Sequence, residues 1–391
     1  IAYAGPAEET DARFDRVIDC RGGLLLPGFK NAHTHSAMTF LRSLADDLPL
    51  QDWLTTQVFP KEAQLTPEDV YLLTKLAFLE YLTSGITACF DMYYFREAIA
   101  RAAVDTGFRT VLVGCANDYG GTAAETEAEY RRFSALHPLV SYRLGIHAEY
   151  TCSLPLLKDF AALVQTLKAP FYTHMNETAR EVEDCLRRHG RRPFELLDSL
   201  GLFDFGGGGY HCVHLSDSEM EIMRARGLYA VTCPGSNMKL ASGVAPLEEL
   251  RARGVPVAIG TDGPASNNAL DMFREMFLAT GLQKLRHGAC AMPAAEVLQM
   301  ACHTGAAAMG LPDCDSLLPG KQADLCLIDL RQPNMQPENN LVKNLVYSGS
   351  KANVALTMVA GRVLYENGCF HTGDDPERLY AEAAAIVRRL A

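Results

Sequence analysis

From residue 29 onward, short apolar runs alternate along the chain with longer amphipathic stretches. The apolar runs read as strands at 29–35 (FKNAHTH), 86–92 (ITACFDM), 109–115 (RTVLVGC) and 142–150 (YRLGIHAEY). Four more follow at 169–175 (APFYTHM), 209–215 (GYHCVHL), 228–233 (LYAVTC) and 255–262 (VPVAIGTD). The stretches between them carry helical spacing. In TPEDVYLLTKLAFLEYLTSG, Thr66 can cap a helix, Pro67 suits its first position and Gly85 can end it. Helical patterns recur in FREAIARAAVDTG, TAAETEAEYRRFSAL, LPLLKDFAALVQTLK, AREVEDCLRRHG, SDSEMEIMRARG and APLEELRARG. Strands alternating with helices in this way predict an α/β fold, a (β/α)8 TIM barrel with its reactive residues at the C-terminal strand ends. An open doubly wound sheet would alternate too, but no G-x-G-x-x-G follows the first strand. The glycine run FGGGGYH precedes a strand, whereas a phosphate loop would follow one.

The flanks differ from this pattern. Residues 1–28 and 315–370 carry turn-punctuated β patterns (RVIDCRGGLLLPG, GKQADLCLIDL, ANVALTMVAGRVLYENG). They are expected to join as a small β-sandwich domain built from both chain termini. The barrel would span 29–314, and 371–391 would form a C-terminal helix. A hydrophobic share of 48% supports a large core. The formal charge of −11, with no basic run, argues against nucleic-acid and anionic-membrane partners. Twelve cysteines lie scattered without a C-x-x-C pair, which reads as buried free thiols. With no leader pattern and no apolar run of about 18 residues, the expectation is a cytoplasmic protein that does not cross a membrane.

Candidate chemistry sits where a barrel would place it. The first strand ends in His33-Thr34-His35, and the fourth contains His147. The fifth carries His174 with Glu177 just beyond, the sixth His211, and the eighth ends at Asp262. Three histidines and an aspartate can supply the N and O donors of a catalytic Zn²⁺ or Fe²⁺, with one position left for an activated water. Each residue alone has a plainer reading. A single histidine near a strand end is commonly a hydrogen-bonded structural residue, the favoured reading for His137, His189 and His371. In an extended strand His214 points away from His211, toward packing or solvent. Asp262 before Gly263 can start a turn, and Glu177 can sit in a helix's first turn. The joint placement on strands one, five, six and eight is hard to attribute to chance.

On these residues the chain resembles the amidohydrolase superfamily, within it the branch of 5′-methylthioadenosine/S-adenosylhomocysteine deaminases and triazine hydrolases. The matching pieces include LPGFKNAHTHSAMTFLRSLADDLPLQDWL, FPKEA, GITACFDM, HAEYTCS, THMNET, HCVHLSD, NMKLASGVAPLEEL, IGTDGPASNNALDMFREM and LPGKQADLCLIDL. The resemblance implies His33, His35, His174 and Asp262 as metal ligands, and Glu177 as the acid that shuttles a proton to the ring nitrogen. It implies His211 as the residue that positions water, with Asp262 accepting that water's proton. Glu62, 27 residues after His35, matches a ribose-binding glutamate, and His147, 27 before His174, a substrate contact. No lysine closes the fourth strand to carry a bridging carbamate, which favours one metal ion over two.

Two departures from the family pattern bear on the substrate. Cys115 and Asn117 stand where an arginine is common, leaving the S-adenosylhomocysteine carboxylate without that contact. Asn267-Asn268-Ala269 replaces the usual N-N-D. The function implied is hydrolytic deamination of an adenosine-type nucleoside: adenosine, 5′-methylthioadenosine or S-adenosylhomocysteine. The alternatives are another N-heterocycle (free base, pterin or triazine) or, ranked lower, a non-catalytic binding protein on this fold. The cofactor is expected to be one divalent transition metal, zinc first, with iron or manganese also able to serve. The small-molecule substrate is expected to meet a homo-oligomer.

Overall fold

The computed structural model describes residues 1–6, 13–44 and 46–390. The expected terminal domain includes 7–12, which lie outside them. Strand β1 (Leu24–Pro27) leaves the chain's front end, and β2 (Phe29–Thr34) starts the barrel two residues later. There follow β3 (Ile86–Asp91), β4 (Arg109–Val113), β5 (Val140–Ala148), β6 (Phe171–Met175), β7 (Gly207–His211), β8 (Tyr229–Thr232) and β9 (Val257–Ile259). Strands β2 to β9 pair in chain order, each parallel to the next. Instead of a β9–β2 ladder, the Asp262 N–H donates to the His33 carbonyl (3.0 Å) and the Thr261 N–H to Asn31 Oδ1 (2.8 Å). The eight-stranded barrel expected from the alternation is borne out, nearly closed.

Every residue of β2, β3, β4, β6, β7 and β9 is buried, as parallel strands covered on both faces require. The barrel's interior is filled by its own cluster, including Ala32, Phe90, Val111, Val113, Tyr172, Tyr210 and Val231, with Ala308 and Met309. Tyr172 and Tyr210 stack with centroids 5.9 Å apart, and His33 stacks on Tyr210 at 3.8 Å. The site's first histidine therefore rests on a packed aromatic column rather than on solvent.

Helix Pro67–Thr83 begins as its sequence foretells. Thr66 accepts the Asp69 N–H, Asp69 accepts the Thr66 N–H, and Gly85 turns the exit at φ +73°. The sixth barrel strand runs 207–211 instead of 209–215, so the glycine run belongs to it. A Cβ at Gly207 would come within 1.9 Å of the Phe171 carbonyl oxygen, and one at Gly208 within 2.2 Å of that of Tyr229. The glycines thus serve close strand packing. His211 and Cys212 turn the chain at φ +67° and +51°, leaving His214 outside the strand.

The other sheet orders β1, β10 (Leu325–Ile328), β11 (Val354–Val359), β12 (Arg362–Glu366) and β13 (Cys369–Phe370), all antiparallel. It is one layer of five strands drawn from both ends of the chain. Where a sandwich was expected, the barrel side serves as the second layer. Thr357 Oγ1 donates to the Leu82 carbonyl (2.7 Å), and Asp324 takes two bonds from Arg109 (2.6 and 3.0 Å). The C-terminal helix, Pro376–Leu390, packs on Pro67–Thr83. All twelve cysteines are free, nine of them buried.

Candidate active site

His33 lies in β2 and His35 just follows it, His174 lies in β6, His211 ends β7, and Asp262 follows β9. These strands converge at one mouth of the barrel. His33, His35 and Asp262 bring donor atoms within 4.8 Å of one another, as do His33, His174 and His211. The far side of most rings is already committed. His35 Nδ1–H donates to the Met92 carbonyl, and His174 Nδ1–H donates to that of His147 (2.7 Å). Asp262 Oδ2 accepts from Ser236 Oγ (2.6 Å) and Ser266 Oγ (2.8 Å). What remains free points inward: Asp262 Oδ1 lies 3.5 Å from His33 Nε2 and 3.2 Å from His35 Nε2, and the Nε2 atoms of His35 and His174 are 3.4 Å apart.

His33 is fully buried, yet neither ring nitrogen has a hydrogen-bond partner. An orphaned buried nitrogen costs about 1–3 kcal/mol, a cost that a cation bound there would remove. Burial presses the His33 pKa down to about 3, so the ring is neutral and able to ligate. Burial also opposes protonation of His35, but Asp262 outweighs it and lifts the ring to about 9. A metal ion would displace that proton. The N and O donor set fits a divalent transition metal.

Beside this cluster lies Glu177, 5% exposed. Its Oε2 is 3.9 Å from His211 Nε2, and its Oε1 accepts from Ser242 Oγ (3.2 Å). Burial raises the Glu177 pKa against the pull of His211. A shift in that direction suits a group that has to hand a proton on. His211 donates Nδ1–H to Asn237 Oδ1 (2.8 Å), which turns Nε2 toward the cavity. Burial lowers its basicity, but Glu177 and Asp262 more than restore it.

The site opens into a cavity of about 660 Å³, solvent at its mouth included. Met38, Leu50, Trp53, Leu54, Val58, Phe59, Tyr93 and Tyr150 form much of its wall, so a flat aromatic ring can be desolvated there. Glu62 reaches it from the segment Phe59–Glu62, buried, with Oε1 accepting from Tyr93 Oη (2.6 Å). Burial lifts Glu62 to about 7 even against that bond. His147, Nδ1 3.1 Å from Thr151 Oγ1, is held at about 4 by burial. All eight residues singled out from the sequence are thus brought together, seven lining the cavity and His33 directly behind it. Among the described residues no lysine lines it.

His137, His189, His214 and His371 lie elsewhere. His137 accepts the Leu139 N–H (3.2 Å), His189 pairs with Glu149 (3.2 Å), and His371 is exposed. His214 Nε2–H donates to the Ser242 carbonyl (2.7 Å). Sequence reading assigned no role to Ser236, Asn237, Ser242, Ser266 or Tyr93. Their one signal is position, since each follows a barrel strand's C-terminal end. Three of the loops carry non-glycine residues at positive φ, Asn176 (+49°), His211 (+67°) and Asp262 (+60°). Such backbone strain gathers at functional sites.

Residues 24–364 match the model of the Amidohydrolase family. The chain belongs to the amidohydrolase family. The resemblance read from its motifs is borne out. A 5-methylthioadenosine/S-adenosylhomocysteine deaminase of Thermoanaerobacter pseudethanolicus is 38% identical over 395 residues, spanning 97% of this chain and 90% of the relative. A 5′-deoxyadenosine deaminase of Methanothermobacter thermautotrophicus is 41% identical over 362 residues, 90% of this chain and 84% of the relative. The crystal structure of an adenosine deaminase from Xanthomonas campestris with bound zinc superposes with a TM-score of 0.89 at 35% identity. It covers 94% of this chain and 85% of its own.

Proposed function

We propose that this amidohydrolase removes the amino group of an adenosine-type nucleoside by hydrolysis, releasing ammonia and the inosine analogue. The observation that carries the reading is the placement of the buried Glu177 carboxyl, 3.9 Å from His211 Nε2 and beside the four inward-facing donors. His33, His35, His174 and Asp262 hold one metal ion, zinc first, which when bound supplies the Lewis acidity that activates water. Asp262 accepts the water's proton. Glu177 protonates the ring nitrogen next to the amino-bearing carbon, which makes that carbon electrophilic. His211 orients the attacking water and stabilises charge on the oxygen as the tetrahedral centre forms. Asp262 then passes the water's proton to the departing amine, and the Glu177 carboxylate takes up the remaining hydroxyl proton as the carbonyl forms, which restores both groups. Glu62, with Tyr93 behind it, accepts from the ribose hydroxyls, and His147 contacts the substrate.

A second chamber opens past Glu62 and His147, lined by Thr55, Phe59, Leu65, Tyr94, Phe95 and Tyr119 among others. No lysine or arginine among the described residues lines either chamber. This favours uncharged 5′ substituents, a methylthio group or hydrogen, over the zwitterionic tail of S-adenosylhomocysteine. The twelve free thiols fit a reducing cytoplasm.

An ammonia-release screen tests the reading, run with adenosine, 5′-methylthioadenosine, 5′-deoxyadenosine, S-adenosylhomocysteine, adenine, guanine, cytosine and triazines. Adenosine-type nucleosides should turn over fastest. Glu177→Gln should abolish release with metal content unchanged. Faster turnover of free bases would remove the nucleoside assignment.

A further inference from the structure

Ser242 is a single long bond on a carboxyl that has to meet one ring nitrogen, so something else must fix the loop that carries Glu177. Among the described residues, three α-helices with a hydroxyl residue at the N-cap open with a reciprocal capping box. The side chain of the third helical residue takes the N–H of the N-cap residue in Thr66/Asp69, Thr122/Glu125 and Ser216/Glu219. Helix Ala179–His189, which follows β6, departs from this. Thr178 caps it by accepting the Glu181 N–H (3.1 Å), but the Glu181 carboxylate reaches past Thr178. One of its oxygens accepts the Glu177 N–H (2.7 Å) and the other the Asn176 N–H (2.9 Å).

That places a bidentate acceptor under two successive peptides at the turn where the backbone is left-handed, Asn176 at φ +49°. Glu181 is 5% exposed and does not line the cavity. Burial pushes its pKa up to about 7. A second buried carboxyl four residues from the first is an expensive way to start a helix, when the ordinary box was available.

Resting on the deaminase reading above, we propose that Glu181 is a positioning residue. It clamps the 176–177 peptides so that the Glu177 carboxyl is aimed at the ring nitrogen beside the reacting carbon. Glutamine at 181 has one acceptor oxygen and an NH₂ group, so it can keep only one of the two N–H bonds.

The test uses the metal-loaded enzyme and the nearly isosteric Glu181→Gln. Turnover number should fall about 10- to 100-fold, the usual scale for a group that orients a reacting one. KM should stay within a few-fold and metal content should not change. Affinity for a nucleoside analogue with a hydroxyl-bearing tetrahedral carbon at the reacting position should fall with kcat/KM. Affinity for the inosine-type product should not. On the Glu177→Gln background, Glu181→Gln should cost that analogue no further affinity. Amide hydrogen exchange at 176 and 177 should quicken, whatever the substrate. Thr178→Val, which removes the hydroxyl that orients Glu181, should give a smaller loss of the same kind and serves if Glu181→Gln folds poorly. Unchanged kcat in either folded variant, unchanged exchange, or an additive loss with Glu177→Gln overturns the role of Glu181. A wild-type enzyme that deaminates no nucleoside sinks the deaminase reading itself, a separate and visible failure.

Discussion

The two ends of the barrel both bury charge, and they treat it in opposite ways. At the N-terminal end, Arg109 opens β4 and meets Asp324 through two bonds, with the Asp324 side chain fully buried. Asp324 also accepts the Ala360 N–H, and Lys30 donates to Thr87 Oγ1 and the Gly28 carbonyl. Every charge there is matched by a partner, and the result ties the terminal sheet to the barrel. At the C-terminal end His33 keeps two unpartnered nitrogens, while the free atoms of His35, His174 and Asp262 converge on one point. Matched burial holds a fold together. Unmatched, convergent burial has a cost that only a ligand can offset.

The sharpest break comes from His33→Leu. Activity should fall about a thousandfold or more, because the metal and its Lewis acidity go with the ligand. The metal-free variant should nevertheless be as stable as metal-free wild type, or more so, since two orphaned nitrogens leave the core. Elemental analysis and thermal melts with and without zinc check both halves. A large loss of stability in the metal-free form would show that His33 is matched after all.

Asp324→Ala should do the reverse. Removing one partner strands the buried Arg109 charge, at about 3–5 kcal/mol. Urea unfolding should show that loss, while kcat and metal content per folded molecule stay as in wild type.

Glu62 stands between these cases, with one bond from Tyr93 and a pKa lifted to about 7 by burial. Its folded value exceeds its unfolded one, so the folded state holds this proton more tightly. The stability of the neutral form is complete at low pH and is lost as pH rises from about 4.5 through 7. At about 1.4 kcal/mol per unit, that is about 3 kcal/mol. In metal-free protein, Glu62→Gln should therefore gain on wild type by about that amount between pH 4 and pH 8. A gap independent of pH would place Glu62 in a matched environment.

How much of this was legible in the sequence depended on range. The helix 67–83 announces itself through Thr66, Pro67 and Gly85, because caps are local chemistry. The barrel strands announce themselves through apolar runs, and their ends through His33, His35, His174 and Asp262. The sixth strand starts two residues earlier than the expected 209–215, because Gly207 and Gly208 carry no apolar side chain to mark them as strand. The glycines are there for neighbouring carbonyls at 171 and 229, which lie far off in sequence. Asn237 sits in a helix of six residues, too short for periodicity, and matters only because it meets His211 across 26 positions. Glu181 looked like part of an ordinary amphipathic helix. Its carboxylate reaches back to 176 and 177, and no spacing rule distinguishes that from a normal box.

The smallest effect tests whether local matching at a distance reaches the site at all. Thr66 and Asp69 satisfy each other at the start of helix 67–83. Some four turns on, Tyr81 Oη sits 2.8 Å from Thr34 Oγ1 and 2.9 Å from Ser36 Oγ, on either side of His35. Thr66→Ala removes one cap bond and should cost about 1 kcal/mol. A frayed first turn leaves Tyr81 near the other end of the helix, where packing against Phe78 and Phe108 holds it. The melting temperature should therefore drop slightly while kcat, KM and metal affinity stay put. A fall in metal affinity without a matching loss of stability would mean that the helix transmits its cap to the H-x-H segment, and the two kinds of buried polar group would no longer be separable.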